Sequence, residues 1–244
     1  MIPRLHVPAA LAAGLDTVLP PNATRHVQVL RLQPGAELCL FDGSGGEWRA
    51  EVRAIGRREV VVRALAHASV ERELARAVTL ALGMPANERM DTLVEKATEL
   101  GATAIQPLVC ERSVLRVAGE RAERKAAHWQ AIVIAACEQC GRNRVPTVHA
   151  PLPLREWLES RGDEDSGQRL LLSLDADARP LAAARGDQRN VTFLSGPEGG
   201  LTEAEQAFAR QRGFEPVSLG ARVLRAETAP LAALAVIAAL EAAA

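Results

Sequence analysis

Two short segments near the C-terminal end of the chain constrain its fold more than any other feature. Residues 195–205 and 219–230 each place glycines beside ionisable side chains, between an apolar run typical of a strand and the start of a helix. Proteins of the α/β class build ligand sites from such loops, where the carboxyl ends of parallel strands meet. The pattern predicts an α/β fold with a ligand site formed by these two loops.

The first of these loops has the features of a tight turn with an uncovered backbone. The run Val191–Leu194 is short, apolar and partly β-branched, as buried parallel strands are. Pro197 fixes one φ angle, whereas Gly199 and Gly200 permit positive φ and leave their peptide groups uncovered. Such a turn can bind a ligand through its peptide groups, although a plain connection without a ligand has the same pattern.

The residues after the glycines mark the next helix and exclude two common phosphate motifs. Thr202 and Glu205 have the spacing of a capping box, which predicts that a helix begins at about Glu203. A Walker loop needs a Lys-Ser/Thr pair after its last glycine, and Leu201 with Thr202 stands there instead. The glycine spacing does not match the dinucleotide pattern either. We therefore expect neither a nucleoside triphosphate nor a conventional dinucleotide in this loop.

The second loop places two charged side chains ahead of an apolar helix. Phe214–Leu219 predicts a strand, and the apolar run Leu231–Leu240 predicts a helix buried on most sides, with Pro230 tolerated in its first turn. Arg225 and Glu227 lie between these elements. Because burying an unpaired charge is costly, these residues form either a structural ion pair or contacts to a ligand.

Strand and helix patterns divide the chain into two parts. Residues 1–70 predict a small β-rich module with a short helix capped by Asn22. Residues 75–244 alternate strands with helices, which predicts a parallel sheet with helices on both faces. The remaining predicted elements are strands at Ala36–Phe41, Glu47–Ile55, Glu59–Leu65, Val78–Leu82, Ile105–Val109 and Leu170–Leu174, helices at Asp91–Leu100 and Glu120–Cys140, and a mobile loop at Ser160–Gln168.

Composition limits the partners and cofactors of the chain. Its formal net charge of −1 argues against indiscriminate nucleic-acid binding, so RNA contacts must come from local patches. No apolar run reaches membrane-spanning length and no signal-peptide pattern is present, so we expect a soluble cytoplasmic protein. Cys137 and Cys140 have Cys-x-x-Cys spacing but no second close pair, so we expect no metal site.

Together the two loops resemble the RsmE family of SPOUT-class RNA methyltransferases. Further stretches carry the resemblance in the same order and spacing, and they cover nearly all of the chain. These stretches are Arg25–Arg31, Glu95–Ala102, Glu111–Ser113 and Glu138–Arg142. Two positions depart from the family pattern: Ala226 stands where the family commonly has Thr, and Cys140 where Ser is more usual.

The resemblance implies a fold, a cofactor and a substrate. The fold is a PUA-like RNA-binding β-barrel in residues 1–70, followed in residues 75–244 by a SPOUT α/β domain with a parallel sheet and a C-terminal trefoil knot. The implied activity is S-adenosylmethionine-dependent methylation of N3 of a specific uridine in 16S ribosomal RNA, free or in an assembled subunit, by a homodimer. The implied cofactor-binding residues are Leu172, Ser173, Gly196, Pro197, Gly199, Gly200, Leu219, Gly220, Val223, Leu224 and Thr228.

The resemblance also suggests roles for the charged residues. We assign to Arg225 the stabilisation of negative charge on the uracil carbonyl oxygens. Glu198 or Glu227 would accept the N3 proton. Glu198 is favoured because it lies inside the glycine loop, and Glu227 could instead anchor its own loop by pairing with Arg225. The implied RNA contacts are Arg25, His26, Arg31, Lys96, Arg112 and Arg142.

Two other functions compete with this interpretation. A SPOUT enzyme for another RNA position, such as a ribose oxygen, would use the same cofactor but yield a different modified nucleoside. A non-catalytic RNA-binding protein with a degenerate second domain is disfavoured, because the glycine loop and the stretch Arg225–Thr228 are intact. Failure to bind S-adenosylmethionine would favour this last alternative.

Overall fold

The computed structural model describes residues 2–161, 167–184, 186 and 188–242. The chain divides into two compact units. The first contains Met1–Glu73 and Ile134–Val145, and the second contains Leu74–Val133 and Pro146–Ala244. The first unit therefore includes a later stretch of the chain, which the continuous boundaries predicted from the sequence assign to the second domain.

In the part of the chain that is described, the first unit is built on a five-stranded sheet. Its strand order is β1-β3-β4-β5-β2, with β1 parallel to β3 and the other pairings antiparallel. Two of the predicted strands, Ala36–Phe41 and Glu47–Ile55, correspond to the antiparallel pair β3 and β4, and β4 has the predicted bounds. The strands are β1 (Arg4–His6), β2 (Asp16–Val18), β3 (Glu37–Phe41), β4 (Glu47–Ile55) and β5 (Val60–Ala68).

Alternate residues of these strands form the core of the first unit. Leu38 and Leu40 of β3 and Val62 of β5 are fully buried, as expected for side chains on the inner face of a half-buried sheet. Ala23 and Val27, from a helix between β2 and β3, are buried in the same cluster. The arrangement confirms the predicted β-rich module.

That helix, α1 (Pro21–Val29), begins differently from its prediction. Pro20 is the N-cap and makes no side-chain capping hydrogen bond, so the predicted cap at Asn22 is wrong. Proline at the first helical position needs no N–H partner, which makes a side-chain cap less necessary. The helix ends before Arg31, whose φ of 54° is left-handed and ends the helical path.

The later stretch of the first unit is held by buried polar contacts. Arg4 of β1 donates from Nη1 to Glu47 Oε2 at 2.6 Å and from Nη2 to Asn143 Oδ1 at 2.7 Å. Asn143, which is fully buried, donates to the carbonyl oxygen of Val70 at 2.6 Å. Arg142 is paired with Glu73 and donates from Nε to Oε1 at 3.1 Å. Sequence segments far apart are thus joined by hydrogen bonds rather than by strand pairing alone.

The second unit contains a sheet of eight strands among the described residues. Its main path is β11-β13-β10-β12-β6-β7-β8, β9 also pairs with β7, and every pairing is parallel. The predicted parallel sheet is confirmed, whereas the trefoil knot stays a prediction. The strands are β6 (Ala77–Gly83), β7 (Ala104–Val109), β8 (Thr147–Val148), β9 (Leu152–Pro153), β10 (Gln168–Leu172), β11 (Arg179–Pro180), β12 (Asn190–Ser195) and β13 (Glu215–Ser218).

The helices alternate with these strands. Helix α3 has the predicted bounds, and α5 begins at Glu203 as its capping box predicts. Helix α2 begins four residues before the predicted Asp91. Residues 162–166 of the predicted loop lie outside the described residues. The helices are α2 (Asn87–Glu99), α3 (Glu120–Cys140), α4 (Leu154–Ser160), α5 (Glu203–Gln211), α6 (Thr228–Ala242) and a short 3₁₀ helix at Leu181–Ala183.

Helix α6 is apolar over most of its length but is buried on one side only. Ala233, Leu234 and Ile237 are buried, whereas Ala235 and Ala239 are exposed. The expectation of burial on most sides is therefore only partly met in the single chain. Within the described residues, we find no helix that is both long enough and apolar enough to span a membrane.

Candidate active site

A cavity of about 670 Å³ opens at the carboxyl ends of three neighbouring strands, β10, β12 and β13. Three loops form its walls. We call residues 172–175 the first wall, residues 195–201 the glycine loop and residues 219–226 the arginine loop. The volume lies within the range of small-molecule sites in proteins. The two loops that the sequence singles out thus line one cavity, as predicted.

The glycine loop is compact, and its conformation requires positions that have no side chain. The Gly200 N–H donates to the carbonyl oxygen of Pro197 at 2.8 Å, and Gly200 has a φ of 69°. A Cβ atom added to Gly196 would lie 2.7 Å from the Leu201 nitrogen, so only glycine fits at that position without a shift. The loop therefore presents backbone rather than side chains over part of its surface.

Contacts from the segment after β7 hold the glycine loop in place. Arg112 donates from Nη1 to the carbonyl oxygen of Gly199 at 3.0 Å. Glu205 completes the capping box with Thr202, and its Oε1 also accepts the Glu111 N–H at 2.9 Å. These contacts link the loop and the start of α5 to a segment about ninety residues earlier in the chain. No local sequence pattern predicts such a link.

The arginine loop turns sharply and then enters α6. Gly220 has a φ of 105°, and the carbonyl oxygen of Arg225 accepts the N–H groups of Thr228 at 2.9 Å and Ala229 at 3.1 Å. Arg225 lines the cavity and is exposed. Val223, which also lines the cavity, is 82% exposed.

Two carboxylates lie beside the guanidinium of Arg89 in the first turn of α2. Glu198 Oε1 accepts the Ala86 N–H at 2.9 Å and is 3.4 Å from Arg89 Nη1. Glu227 Oε1 is 3.9 Å from Arg89 Nε. Among the described residues, the ion pair of Glu227 is thus with Arg89 rather than with Arg225, which corrects the pairing suggested from the sequence. Arg89 lies in another segment, and the sequence interpretation did not include it.

The first wall is braced from helix α5. Arg210 donates from Nη2 to Asp175 Oδ2 at 2.8 Å and from Nη1 to Asp177 Oδ2 at 2.6 Å. These hydrogen bonds lower the pKa of Asp177 below its usual value. Asp175, which lines the cavity, also donates its N–H to Ser173 Oγ at 3.0 Å. The wall is thereby fixed by charged contacts on one side of the cavity.

Comparison with known proteins identifies the class of this site. The family model described as "RNA methyltransferase domain" matches residues 72–238, and the model "RNA methyltransferase PUA domain" matches residues 19–65. A relative from Synechocystis sp. named ribosomal RNA small subunit methyltransferase E is 39% identical over 87% of this chain and 69% of its own length. The chain belongs to the ribosomal RNA small subunit methyltransferase E family.

Other members of the family support the same assignment. The Bacillus subtilis protein of that name is 32% identical over 86% of this chain and 84% of its own length. The crystal structure of the Neisseria gonorrhoeae methyltransferase E, described as bound to S-adenosyl methionine, is 38% identical, covers 98% of both chains and has a TM-score of 0.91. The predicted architecture, a PUA-like module followed by a parallel-sheet RNA methyltransferase domain, is therefore confirmed.

Most of the predicted cofactor residues of this methyltransferase E family member lie around the cavity. Glu227 and Thr228 are not among its lining residues. Thr228 is the first residue of α6, where its backbone N–H closes the preceding turn. The predicted residues that do line the cavity are Leu172, Ser173, Gly196, Pro197, Glu198, Gly199, Gly200, Leu219, Gly220, Val223, Leu224 and Arg225.

The predicted RNA contacts in the first unit have different environments. Arg25, His26 and Arg31 are all exposed, and His26 Nδ1 is 3.9 Å from Glu138 Oε2. The Arg142 side chain is only 4% exposed because it is buried in the ion pair with Glu73. Arg142 therefore has a structural role in this conformation, and RNA binding by Arg142 stays a prediction that would require it to leave this ion pair.

The two predicted RNA contacts in the second unit already have intramolecular partners. Lys96 lies in α2 between Glu95 and Glu99, and the hydrogen bonds that it donates to them raise its pKa above the usual value. Arg112 is exposed and bound to Gly199. RNA binding by either residue stays a prediction, and it would require sharing these partners with a phosphate.

Burial lowers the reactivity of two of the cysteine thiols. Cys110 and Cys137 are buried thiols, and burial raises the pKa of each to about 12. Thiolates are the reactive and metal-binding form of cysteine, so a raised pKa disfavours both kinds of chemistry. Within the residues that are described, no group of three or more His, Cys, Asp or Glu side chains is arranged to hold a metal ion.

Proposed function

We propose that the chain transfers a methyl group from S-adenosylmethionine to N3 of a uridine in 16S ribosomal RNA. Membership of the methyltransferase E family supports the reaction class, and the crystal structure of the Neisseria gonorrhoeae relative with S-adenosyl methionine supports the cofactor. The observation that carries the proposal is that Arg225, Glu198 and the glycine loop line one cavity at the carboxyl ends of the strands.

The lining residues fit an adenosyl group bearing a sulfonium. Leu172, Leu219 and Leu224 provide apolar walls for a flat ring, and the glycine loop provides exposed peptide groups. Ser195 also lines the cavity, and its buried Oγ has no hydrogen-bond partner among the described residues. Buried hydroxyls are nearly always hydrogen-bonded, so an additional polar partner is expected there. When bound, S-adenosylmethionine supplies a methyl group made electrophilic by its sulfonium.

The uridine must lose its N3 proton to become a good nucleophile. Negative charge then spreads to the two uracil carbonyl oxygens. We assign to Arg225 the role of stabilising that charge, because its guanidinium is permanently positive and it lines the cavity. A cation held next to such an anion, in a site from which the bound substrate excludes water, stabilises it more than water does.

Glu198 is the carboxylate that we assign as the proton acceptor. It lines the cavity, whereas Glu227 does not. Its contacts with Ala86 and Arg89 both use Oε1, so Oε2 is the oxygen to which we assign the N3 proton. Proton transfer requires hydrogen-bonding distance, directly or through one water molecule, and the place of Glu198 in the lining of the cavity supports this assignment.

The partners and setting of the enzyme are also proposals. We assign RNA binding to the PUA-like unit, where Arg25 and Arg31 are exposed. A homodimer would cover the apolar surface at Val223 and on α6 at Ala235 and Ala239, all exposed in the single chain. We assign the substrate as 16S ribosomal RNA, free or in the small subunit, and the location as the cytoplasm.

Nucleoside mass spectrometry on ribosomal RNA tests the proposal. A strain lacking the gene should lose 3-methyluridine from its 16S RNA, and complementation with the wild-type gene should restore it. Complementation with Arg225→Ala should fail, although the variant protein accumulates to the wild-type level. Persistence of 3-methyluridine with loss of another methylated nucleoside would keep the reaction class and refute the target atom. No change in any nucleoside, together with no S-adenosylmethionine binding, would favour a non-catalytic RNA-binding protein.

A further inference from the structure

We propose that Arg89 is a positioning residue that couples Glu227 to Glu198 and orients the Glu198 carboxylate for proton transfer. The inference rests on the function proposed above. It assigns roles to Arg89 and Glu227 that differ from direct contact with the reacting atoms. Three observations support it: the location of Arg89, its contacts on both sides, and the environment of Glu227.

The location of Arg89 differs from that of the other arginines around the cavity. Arg222 and Arg225 belong to the arginine loop, but Arg89 extends from the first turn of α2. Its side chain is 43% exposed and lines the cavity. A residue on a helix is held more firmly than a residue on a loop, and this makes Arg89 a suitable fixed point for groups on two different loops.

The guanidinium of Arg89 contacts the two carboxylates through different nitrogens. Nη1 is 3.4 Å from Glu198 Oε1, and Nε is 3.9 Å from Glu227 Oε1. The guanidinium is planar and its N–H donors are held in a rigid arrangement. A contact that fixes Nε therefore also restricts the direction in which Nη1 points. Glu227 at the start of α6 therefore restrains the nitrogen that holds Glu198.

Glu198 is also fixed from the backbone of α2. Its Oε1 accepts the N–H of Ala86, the N-cap residue of α2, at 2.9 Å. An N–H at a helix start lies in a region of partial positive charge, which favours the ionised carboxylate there. Two donors on one oxygen define the orientation of the carboxylate and leave the other oxygen for the substrate proton.

Glu227 is well placed to act through Arg89 rather than on the substrate. Its side chain is 20% exposed, and its Oε2 is buried without a hydrogen-bond partner among the described residues. Keeping a carboxylate this buried is costly unless a cation is close. Arg89 offsets that cost. Its charge also offsets the repulsion between two carboxylates that approach the same guanidinium.

A double-mutant cycle on the full-length protein tests the coupling. The variants are Arg89→Met, Glu227→Gln, Glu198→Gln and the two doubles that combine Arg89→Met with each glutamine variant. Transfer of labelled methyl from S-adenosylmethionine to small-subunit RNA is measured whatever the modified base, with the affinity for S-adenosylmethionine measured by calorimetry and Tm measured on the same samples.

We expect Arg89→Met to lower kcat by about 10- to 100-fold, which is the size of effect that a displaced catalytic group causes. KM for RNA and the affinity for S-adenosylmethionine should change by less than about threefold, because the proposed role is to orient Glu198. Adding Glu227→Gln to Arg89→Met should lower kcat no further, because Glu227 acts through Arg89. Adding Arg89→Met to Glu198→Gln should also have no further effect.

Two other variants keep the proposal falsifiable. Arg89→Lys keeps a cation on α2 and should recover part of kcat, which separates loss of charge from loss of folding. Arg155→Met removes an exposed ion pair with Glu159 on α4 and a cation–π contact with Phe208, both outside the lining of the cavity, and should leave kcat unchanged. Independent, multiplicative losses in the double variants, or wild-type kcat in Arg89→Met, would overturn the proposal. If the wild-type protein transfers no methyl group at all, the proposed function fails instead, so the two failures are distinguishable.

Discussion

Gly83 at the end of β6 lies directly against Pro197 of the glycine loop. A Cβ atom added to Gly83 would be 2.4 Å from the Pro197 nitrogen and 2.9 Å from the Gly196 carbonyl carbon. Both of these atoms belong to the backbone, so a rotamer change cannot move them aside. The path of the glycine loop across the sheet therefore requires the absence of a side chain at Gly83.

The substitution Gly83→Ala should displace the glycine loop. We expect it to lower the free energy of unfolding by about 1–3 kcal/mol, as overpacking of a core does, and to weaken the affinity for S-adenosylmethionine. Urea unfolding and calorimetry measure the two effects. Gly56→Ala in the β4–β5 turn of the first unit is the milder comparison: its added Cβ would lie 3.2 Å from the Glu59 carbonyl oxygen, so it should cost less stability and leave the affinity unchanged. Unchanged binding in Gly83→Ala would contradict the steric argument.

Loss of the capping box should destabilise the start of α5. Thr202 Oγ1 accepts the Glu205 N–H at 3.2 Å, and the Thr202 N–H donates to Glu205 Oε2 at 2.8 Å. We expect Thr202→Ala to lower the free energy of unfolding by about 1 kcal/mol, and Thr202→Ser to have little effect because it keeps the acceptor. The denaturation midpoints of the three proteins test this. Equal midpoints for the alanine and serine variants would show that the cap contributes nothing.

Arg142 and Glu73 form a buried ion pair, and the loss in free energy of unfolding should depend on whether one or both partners are replaced. Their side chains are 4% and 14% exposed. Arg142→Met leaves the Glu73 carboxylate without its cation and should lower the free energy of unfolding by about 3 kcal/mol. The double replacement by methionine should cost less than the sum of the single changes, because no unpaired charge remains.

A surface pair provides the control for that experiment. Arg124 and Glu120 are paired at 3.2 Å on α3, with side chains 71% and 88% exposed. Arg124→Met should leave the free energy of unfolding unchanged within error, because solvent screens exposed pairs. A loss in Arg124→Met as large as that in Arg142→Met would refute the distinction between buried and exposed pairs.

Stability should depend on pH through Glu47. Burial of this carboxyl would raise its pKa, but hydrogen bonds from Arg72, Arg4 and Asn143 outweigh burial and hold the pKa below the usual value of 4.5. The native state thus binds fewer protons at this group than the unfolded state does. The stabilisation is present above pH 4.5 and is lost as pH falls through the lower native pKa.

Unfolding of wild type and Glu47→Gln between pH 7 and pH 3 measures this contribution. We expect the wild type to be the more stable protein at pH 7 and the difference to narrow as pH falls below 4.5. A difference that is constant over the whole range would show that Glu47 does not titrate with folding.

The buried thiols should resist alkylation in the native protein. Because burial raises the pKa of Cys110 and Cys137 to about 12, almost no thiolate is present at pH 8. We expect iodoacetamide to leave both residues unmodified under native conditions and to modify all four cysteines in denaturant. Mass spectrometry of peptides from the two samples provides the measurement. Rapid native alkylation of Cys110 would mean that the strand end opens readily.

Local sequence signals predicted the elements whose causes are local. The capping pair Thr202 and Glu205 placed the start of α5 correctly, because both halves of the interaction lie within one helical turn. Asn22 was misjudged because Pro21, the residue before it, already occupies the first helical position. A strong N1 residue and a strong N-cap residue in succession leave two positions for the helix start, and the local pattern does not choose between them.

Features that depend on distant residues were the ones that sequence reasoning missed. At the start of helix α2, the N–H of its N-cap residue Ala86 is accepted by Glu198, 112 residues later in the sequence, and no local pattern indicates this contact. The burial of Arg142 likewise depends on its pairing with Glu73, 69 residues earlier in the sequence, and no local pattern indicates that pair. In the site, the glycines of the loops are a local signal, whereas Arg89 lies two residues before the predicted start of its helix and has none.

The discontinuous first unit has a consequence for the order in which the chain can fold on the ribosome. Arg4 in the first strand requires the Gly141 and Arg142 carbonyl oxygens and the Asn143 side chain, and Val70 requires the same asparagine. Those partners are synthesised only after residues 74–133 have emerged. Until then, these polar groups of the first segment lack their native partners. A gene fragment ending near residue 70 would therefore encode the first unit without residues 134–145.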